Sequence, residues 1–534
     1  MKKIISIIIF VGLISACTDR FETVNKNPYT ISNESLLQDK NFGVRFATLA
    51  QGLTTSQMGE DLATDTFVRH VGTPADFIGN RNNTTYYIID LWNDNMWDRV
   101  YDNVMSPGNV IKAAAIAGNM PLYAAWVDLY QVSALSRLTV YHGPLIYSDY
   151  GKEDKPSYNY DSEEELYDQF FAKLDDIYEV FSEYAEAGNK ELEKFDATYS
   201  GDLDKWLKYI NSLRLRLAMR LVKVDPTLAR YQGELAIADE AGLILTTADN
   251  FQTFLYGGRH PIQTMNHNWN DSRMSAAHEE FLIGYNDPRL YRWYEPVTGD
   301  ASLYADHPEF PYKGITSGSY ITAKDQRIPF SKTSAYFSQT GNGGKYRRFL
   351  TAGEVNFILA EAALRGWTTP GDKSAKEWYE NGVRESFKEW EVEGVEEYLS
   401  DDTSLPLRTH VDPVDSRNNY DSRSSITIKW DEAVSDEENL ERIMTQKWLD
   451  AFLNANEIWS DHRRTGYPKL HYTPKNDSNE DWGIIGQEDF LKRMPFVFNE
   501  RMNNSEGVAG AVAKLGGPDK ISTRLWIHPE GPNF

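Results

Sequence analysis

Cys17 is the single cysteine among 534 residues and the residue with the most specific chemistry. It follows Lys2-Lys3, an apolar run from Ile4 to Ile14 and the small pair Ser15-Ala16, the pattern of a secretory signal with a small-residue cleavage site. The run is too short to span a bilayer. A sole cysteine also excludes an intramolecular disulfide, so the fold must rest on its own core. Other catalytic or metal patterns are incomplete. Gly366-x4-Gly371 is followed by Asp372 before Lys373-Ser374, and the extra acid spoils a phosphate loop. His278-Glu279-Glu280 lacks the second histidine of a zinc helix. Asp477-x-Asn479-x-Asp481 with Glu488 mimics a calcium loop, but Trp482 stands where the turn needs glycine, and a solvated acidic loop is the better reading. No metal or cofactor is expected. A glycosidase needs only two carboxylates, which 79 acidic residues leave open.

The segment around Cys17 resembles the lipobox of bacterial lipoproteins, which implies that the cysteine is S-acylated and becomes the mature N-terminus. Several acyl chains hold a protein on a membrane stably, whereas one binds marginally. The alternative is a structural cysteine beside an ordinary signal peptide. Loss of residues 1–16 leaves 53 basic against 79 acidic side chains, a formal charge of −26. That field repels nucleic acid and anionic headgroups. Aromatic residues are in excess of what a core needs, with 14 Trp, 31 Tyr and 24 Phe, so some rings should face solvent.

Residues 1–16 read as a signal, 17–40 as a polar tether and 41–534 as a single binding domain, mainly α-helical. Phe42, Phe46, Leu49 and Leu53 make one helical stripe; Leu166, Phe170, Leu174, Ile177 and Phe181 make another behind an Asp161-Ser162 cap. Trp206, Ile210, Leu213, Leu217 and Leu221 form a third, with Lys205, Lys208, Arg214, Arg216 and Arg220 expected mostly on its other faces. A fourth helix should run from Pro226 to Gly242. Capping boxes at Thr351/Glu354 and Ser435/Glu438 open two more, each followed by another helical pattern, roughly 374–390 and 456–464. Two stretches, about 65–93 and 243–350, lack helical period and are rich in Gly, Asn, Pro and rings; the binding surface is expected there.

Gln446-Lys447-Trp448-Leu449-Asp450-Ala451-Phe452 and Asn456 to Pro468, with Trp459, Asp461, Arg463 and Arg464, resemble the signature of the SusD/RagB family of nutrient-binding outer-membrane lipoproteins. Phe21 to Pro28, Asn286-Asp287-Pro288-Arg289-Leu290, Ala360 to Gly366 and Tyr141-His142-Gly143-Pro144-Leu145-Ile146-Tyr147 fit the same family, although His142-Gly143-Pro144 departs from its usual turn. The resemblance implies a SusD-like fold, with tetratricopeptide-like helix pairs beneath a loop-rich ligand face. It implies an outer-membrane, surface-exposed lipoprotein that passes oligosaccharide to a SusC-like TonB-dependent transporter without cleaving it. Peptide capture and surface glycoside hydrolysis are the alternatives. The shared motifs read mostly as scaffold.

A sugar ring offers an apolar C–H face and a hydroxyl rim, so its site needs a flat ring beside Asn, Asp, Arg or His. Trp92 beside Asn93 and Asn95 fits, at a distance from Cys17 similar to that of a stacking Trp in starch-binding relatives; the alternative is a core ring. His267, Trp269 and Arg273 form a second polar and aromatic group. Tyr320 and Tyr336 lie in Gly/Ser-rich stretches, and Arg69 is a further candidate.

Overall fold

The computed structural model describes residues 39–53, 57–152, 155–255, 260–338 and 340–534, with side chains from Phe42 onward. Cys17, the signal, most of the tether and the segment Phe21 to Pro28 lie outside the described residues.

Helices dominate, as their periodicity requires. In the helix Glu163–Glu186, Ser162 accepts from the Glu165 amide and Glu165 reaches back, closing a capping box. Its stripe Leu166, Phe170, Leu174, Ile177 and Phe181 is fully buried, each side chain worth about 1.5–3 kcal/mol of hydrophobic stabilisation. It packs on the helices Pro121–His142 and Leu203–Arg220. The helix Ala352–Leu364 pairs with Ala375–Glu389, and Asp436–Asp450 is followed by Ala455–Thr465. One apolar cluster runs through all of these elements, from Phe42 to Ile527.

Three local expectations differ from the structure. The fourth helix is Pro226–Ala238, ending four residues before Gly242, because Asp239 turns extended. Thr351 caps Glu354 by accepting its amide, but the Glu354 carboxylate is held by Arg216 and does not reach back. Arg214, Arg216 and Arg220 are buried, not on outer faces. Helix Leu203–Arg220 is enclosed from Tyr209 onward, so its cations there meet acids: Arg216 Nε donates to Glu354 at 2.7 Å and Arg220 Nε to Glu457 at 3.1 Å. Burial alone would raise the Glu457 pKa, but Arg220 and Arg216 hold it at about 2. Arg464 joins the same network through Glu361 and Asp461, and Lys447 through Asp461 at 2.7 Å.

Both non-helical stretches are stapled at their roots. Strand Phe251–Phe254 pairs antiparallel with Tyr346–Leu350, Phe254 opposite Tyr346, so residues 255–345 form one excursion from a closed base. Strand Val71–Gly72 pairs with Arg273–Met274, which joins the first excursion to the second. Gly318, at φ +72°, lets the backbones meet: a Cβ there would lie 2.6 Å from the Thr84 carbonyl oxygen.

Truncating one member of the buried ionic network leaves its partner charged and dry, which costs about 3–5 kcal/mol. Glu457→Ala is therefore expected to lower the thermal unfolding midpoint far more than Glu396→Ala, which removes an exposed pair with Arg384. Equal midpoints in calorimetry would contradict the assignment.

Candidate functional site

The excursions bring together segments far apart in sequence. Asn80 donates its side-chain N–H to the Ser319 carbonyl at 3.0 Å, which sets the 76–82 turn against the residue before Tyr320. Ile78, Gly79 and Asn80 all have positive φ, a conformation costly for Ile78, whose side chain is left exposed. Further along, Lys324 donates its ammonium to the Trp269 carbonyl at 2.8 Å and pairs with Asp271, which also accepts from Gln57. Trp269 thus has a fixed backbone and a free ring: it is 52% exposed, among the largest exposed apolar side chains of the described residues.

Tyr320 is half-buried, and its amide donates to Asn418 at 2.8 Å. The Arg417 guanidinium lies 4.0 Å from the centre of its ring and is held at 2.6 Å by Asp415. The arrangement offers a flat, donor-rich plane to solvent, since Arg417 is itself largely exposed. Trp92 is half-buried on the first turn of helix Asp90–Val100, its ring meeting Phe77 edge to face at 5.7 Å. The nearby Ile78 and Leu91 are exposed. The rim therefore carries Trp92 with Phe77, Trp269, and Tyr320 under Arg417, with amide, ammonium and guanidinium groups between. Such a surface can stack sugar rings and hydrogen-bond their hydroxyls.

Three of the candidates read from sequence are scaffold instead. Arg69 is fully buried, and its guanidinium donates to the carbonyls of His471 and Thr66 and to the Thr473 hydroxyl. Arg273 is buried and donates to the Ile328 and Ser272 carbonyls; burial brings its pKa down to about 10. Asn93 is buried and its side chain donates to the Pro495 carbonyl at 2.9 Å. In each case backbone carbonyls claim the donor. Asn95 is half-buried beside Trp92. His267 is half-buried and bonded to Thr333 at 3.1 Å, and burial lowers its pKa. Tyr336 packs edge to face on Phe337 at 5.3 Å, near Trp390, and lines a recess of about 480 Å³ with Tyr291 and Arg292.

Two potential cation sites are filled by lysine. The Lys313 ammonium lies 2.7 Å from Glu279 and 2.8 Å from Asp306, in the one group of described residues, with His307, spaced to hold a metal ion. Glu279 also bonds His307 and His410, so it is a structural counter-ion. In the 477–488 loop, Lys520 donates to the carbonyls of Glu480 and Asp481, and Lys475 pairs with Asp477 at 2.9 Å.

The family described as "Susd and RagB outer membrane lipoprotein" matches residues 23–528. The chain belongs to the SusD/RagB family. A chitin-binding SusD homologue from Flavobacterium johnsoniae is 36% identical with a TM-score of 0.84, covering 92% of this chain and 99% of that one. A SusD homologue from Bacteroides vulgatus is 29% identical with a TM-score of 0.83, covering 92% and 98%. A SusD-like protein from Bacteroides thetaiotaomicron is 28% identical with a TM-score of 0.82, covering 91% and 99%. Among curated proteins none matches. In this SusD/RagB protein no described helix is long and apolar enough to cross a membrane.

The signature residues of this SusD/RagB chain are scaffold. Trp448 donates its indole N–H to the Val68 carbonyl at 2.8 Å, tying the first excursion down. Arg463 stacks on Trp459 at 3.7 Å and donates to the carbonyls of Trp459, Lys492 and Val140, while Glu457 of the same helix accepts from Arg220. Sequence reading missed Arg417, Lys324 and Phe77. Only the fold stacks Arg417 on Tyr320, 97 positions away; the sequence signal was the Asp415-x-Arg417 pair in a polar loop.

Since Trp269 is much more exposed than the other described tryptophans, acrylamide quenching of intrinsic fluorescence is expected to fall clearly in Trp269→Phe and to change little in Trp448→Phe. Unchanged quenching in Trp269→Phe would contradict the exposed ring.

Proposed function

We propose that this SusD/RagB protein captures oligosaccharides at the cell surface and delivers them, uncleaved, to a SusC-like TonB-dependent outer-membrane transporter. Cys17 is S-acylated and becomes the mature N-terminus when residues 1–16 are removed, and the polar segment to residue 40 is the tether that carries the 41–534 binding domain. Tetratricopeptide-like helix pairs, among them Ala352–Leu364 with Ala375–Glu389, form the support, and the ligand lies across the excursion rim. The observation that carries this reading is Trp269: a large ring half exposed on a backbone locked by Lys324. Arg417 over Tyr320 supplies a second platform, and Trp92 with Asn95 a third. Pre-placed rings bind with little entropy to lose. The chitin-binding relative supports N-acetylglucosamine oligomers as the first ligand class.

The test is calorimetry of the full-length lipoprotein in detergent against N-acetylglucosamine, glucose and xylose oligomers and a peptide digest. A glycan should bind saturably and be recovered intact. Trp269→Ala should weaken binding about tenfold, the effect of losing roughly 1.4 kcal/mol of stacking, and Tyr320→Ala by a similar factor. Binding of peptides alone, or release of shortened sugars, would overturn the reading.

A further inference from the structure

A second recess lies on the side of helix Asp90–Val100 turned away from Trp92, where that helix and the turn Tyr101–Met105 meet Ile146, Tyr150, Gly151, Tyr158 and the start of helix Phe498–Asn503. It encloses about 590 Å³. The rings of Trp97, Tyr150 and Tyr158 line it, together with the carboxylates of Asp98, Asp102 and Glu500. Tyr101 bridges the rings, 4.7 Å from Trp97 and 5.2 Å from Tyr150, so one wall is continuous aromatic surface.

Asp98 and Asp102 are exposed and Glu500 is half-buried. Among the described residues no Lys, Arg or His lies within ion-pair distance of Asp98, Asp102 or Glu500. The partners of Glu500 are the Tyr160 hydroxyl at 3.0 Å and the Asn504 side-chain N–H at 2.9 Å, both neutral. Burial, then Asp94 and Asp102, raises the Asp98 pKa to about 6, the mark of negative charge without a counter-ion. A second observation is independent of the acids. Trp97 is 5% exposed, its ring lines the recess, and its indole N–H has no acceptor among the described residues. An unpartnered donor on a ring that lines the recess is open to a ligand acceptor.

We propose that this recess is a second binding site, for a sugar bearing a free primary ammonium group, such as a glucosamine unit without its acetyl group. The rings cover the apolar face of the sugar, a hydroxyl oxygen accepts from the Trp97 indole, and Asp98, Asp102 and Glu500 surround the ammonium. The overall negative charge of the protein draws such a ligand in. This site does not depend on the excursion rim.

The test is calorimetry of the full-length protein with three probes at a pH where sugar amines are charged: the β-1,4-linked glucosamine trisaccharide, its fully N-acetylated counterpart and spermidine. The glucosamine trisaccharide should bind, and Asp98→Asn with Asp102→Asn should weaken it about tenfold or more, as expected for losing charge-assisted contacts. Both positions are exposed, so the double variant should keep the wild-type unfolding midpoint. Tyr150→Ala should also weaken this binding, whereas Trp269→Ala should leave it unchanged. The proposal is overturned if the glucosamine trisaccharide does not bind, if the double variant binds it as wild type does, or if spermidine binds equally well, since the sugar would then contribute nothing. Binding of the glucosamine trisaccharide without any binding of its acetylated counterpart would support the recess even if the rim carried no glycan.

Discussion

Four acids and four cations buried between helices hold this protein in shape. Glu354 and Glu457 face Arg216 and Arg220, while Glu361 and Asp461 face Arg464 and Lys447. The participants come from four helices separated by up to 250 residues, so the network fixes the register of one half of the chain on the other. Desolvating these ions is expensive, and it is offset only because each guanidinium is matched by a carboxylate with good geometry. Apolar packing alone would tolerate small slips between the helices; this arrangement does not.

The excursions depend on that rigidity. Trp448 and Arg463, in the same C-terminal helices as the network, bind carbonyls of Val68 and Val140, and thereby anchor the first excursion and the end of helix Pro121–His142. From there the short strand pair Val71–Gly72 and Arg273–Met274 passes the order on to the second excursion. Trp92 stands on a helix, and Trp269 and Tyr320 stand on segments whose backbone is fixed. Lys324 holds Trp269, Asn418 holds Tyr320, and Asn80 holds the turn beside them. A glycan platform needs this combination of mobile-looking sequence and fixed backbone, because ring orientation sets specificity.

Much of the scaffold was legible in the sequence because helical burial follows a 3.6-residue period. The stripe from Leu166 to Phe181 and the caps at Ser162 and Ser435 are local signals, and they match. Helix Leu203–Arg220 was misread on its charged face, because period cannot distinguish an arginine in water from one paired inside with a distant glutamate. The rim was legible only in outline. Trp269 was picked out by its polar neighbours, but Arg69, Arg273 and Asn93 look no different in sequence from ligand contacts. What decides their role is whether a backbone carbonyl lies within reach, and that depends on crossings such as Val68 with Trp448 that no local pattern encodes. Arg417 was missed for the converse reason, since its value comes from stacking on Tyr320.

The most direct test of the account is a crystal structure of the protein with an N-acetylglucosamine oligomer. The account predicts an intact oligomer lying along the rim, with one sugar ring stacked on Trp269 and hydroxyls within hydrogen-bond distance of Arg417. An oligomer found only elsewhere on the surface, with Trp269 and Arg417 uncovered, would contradict it.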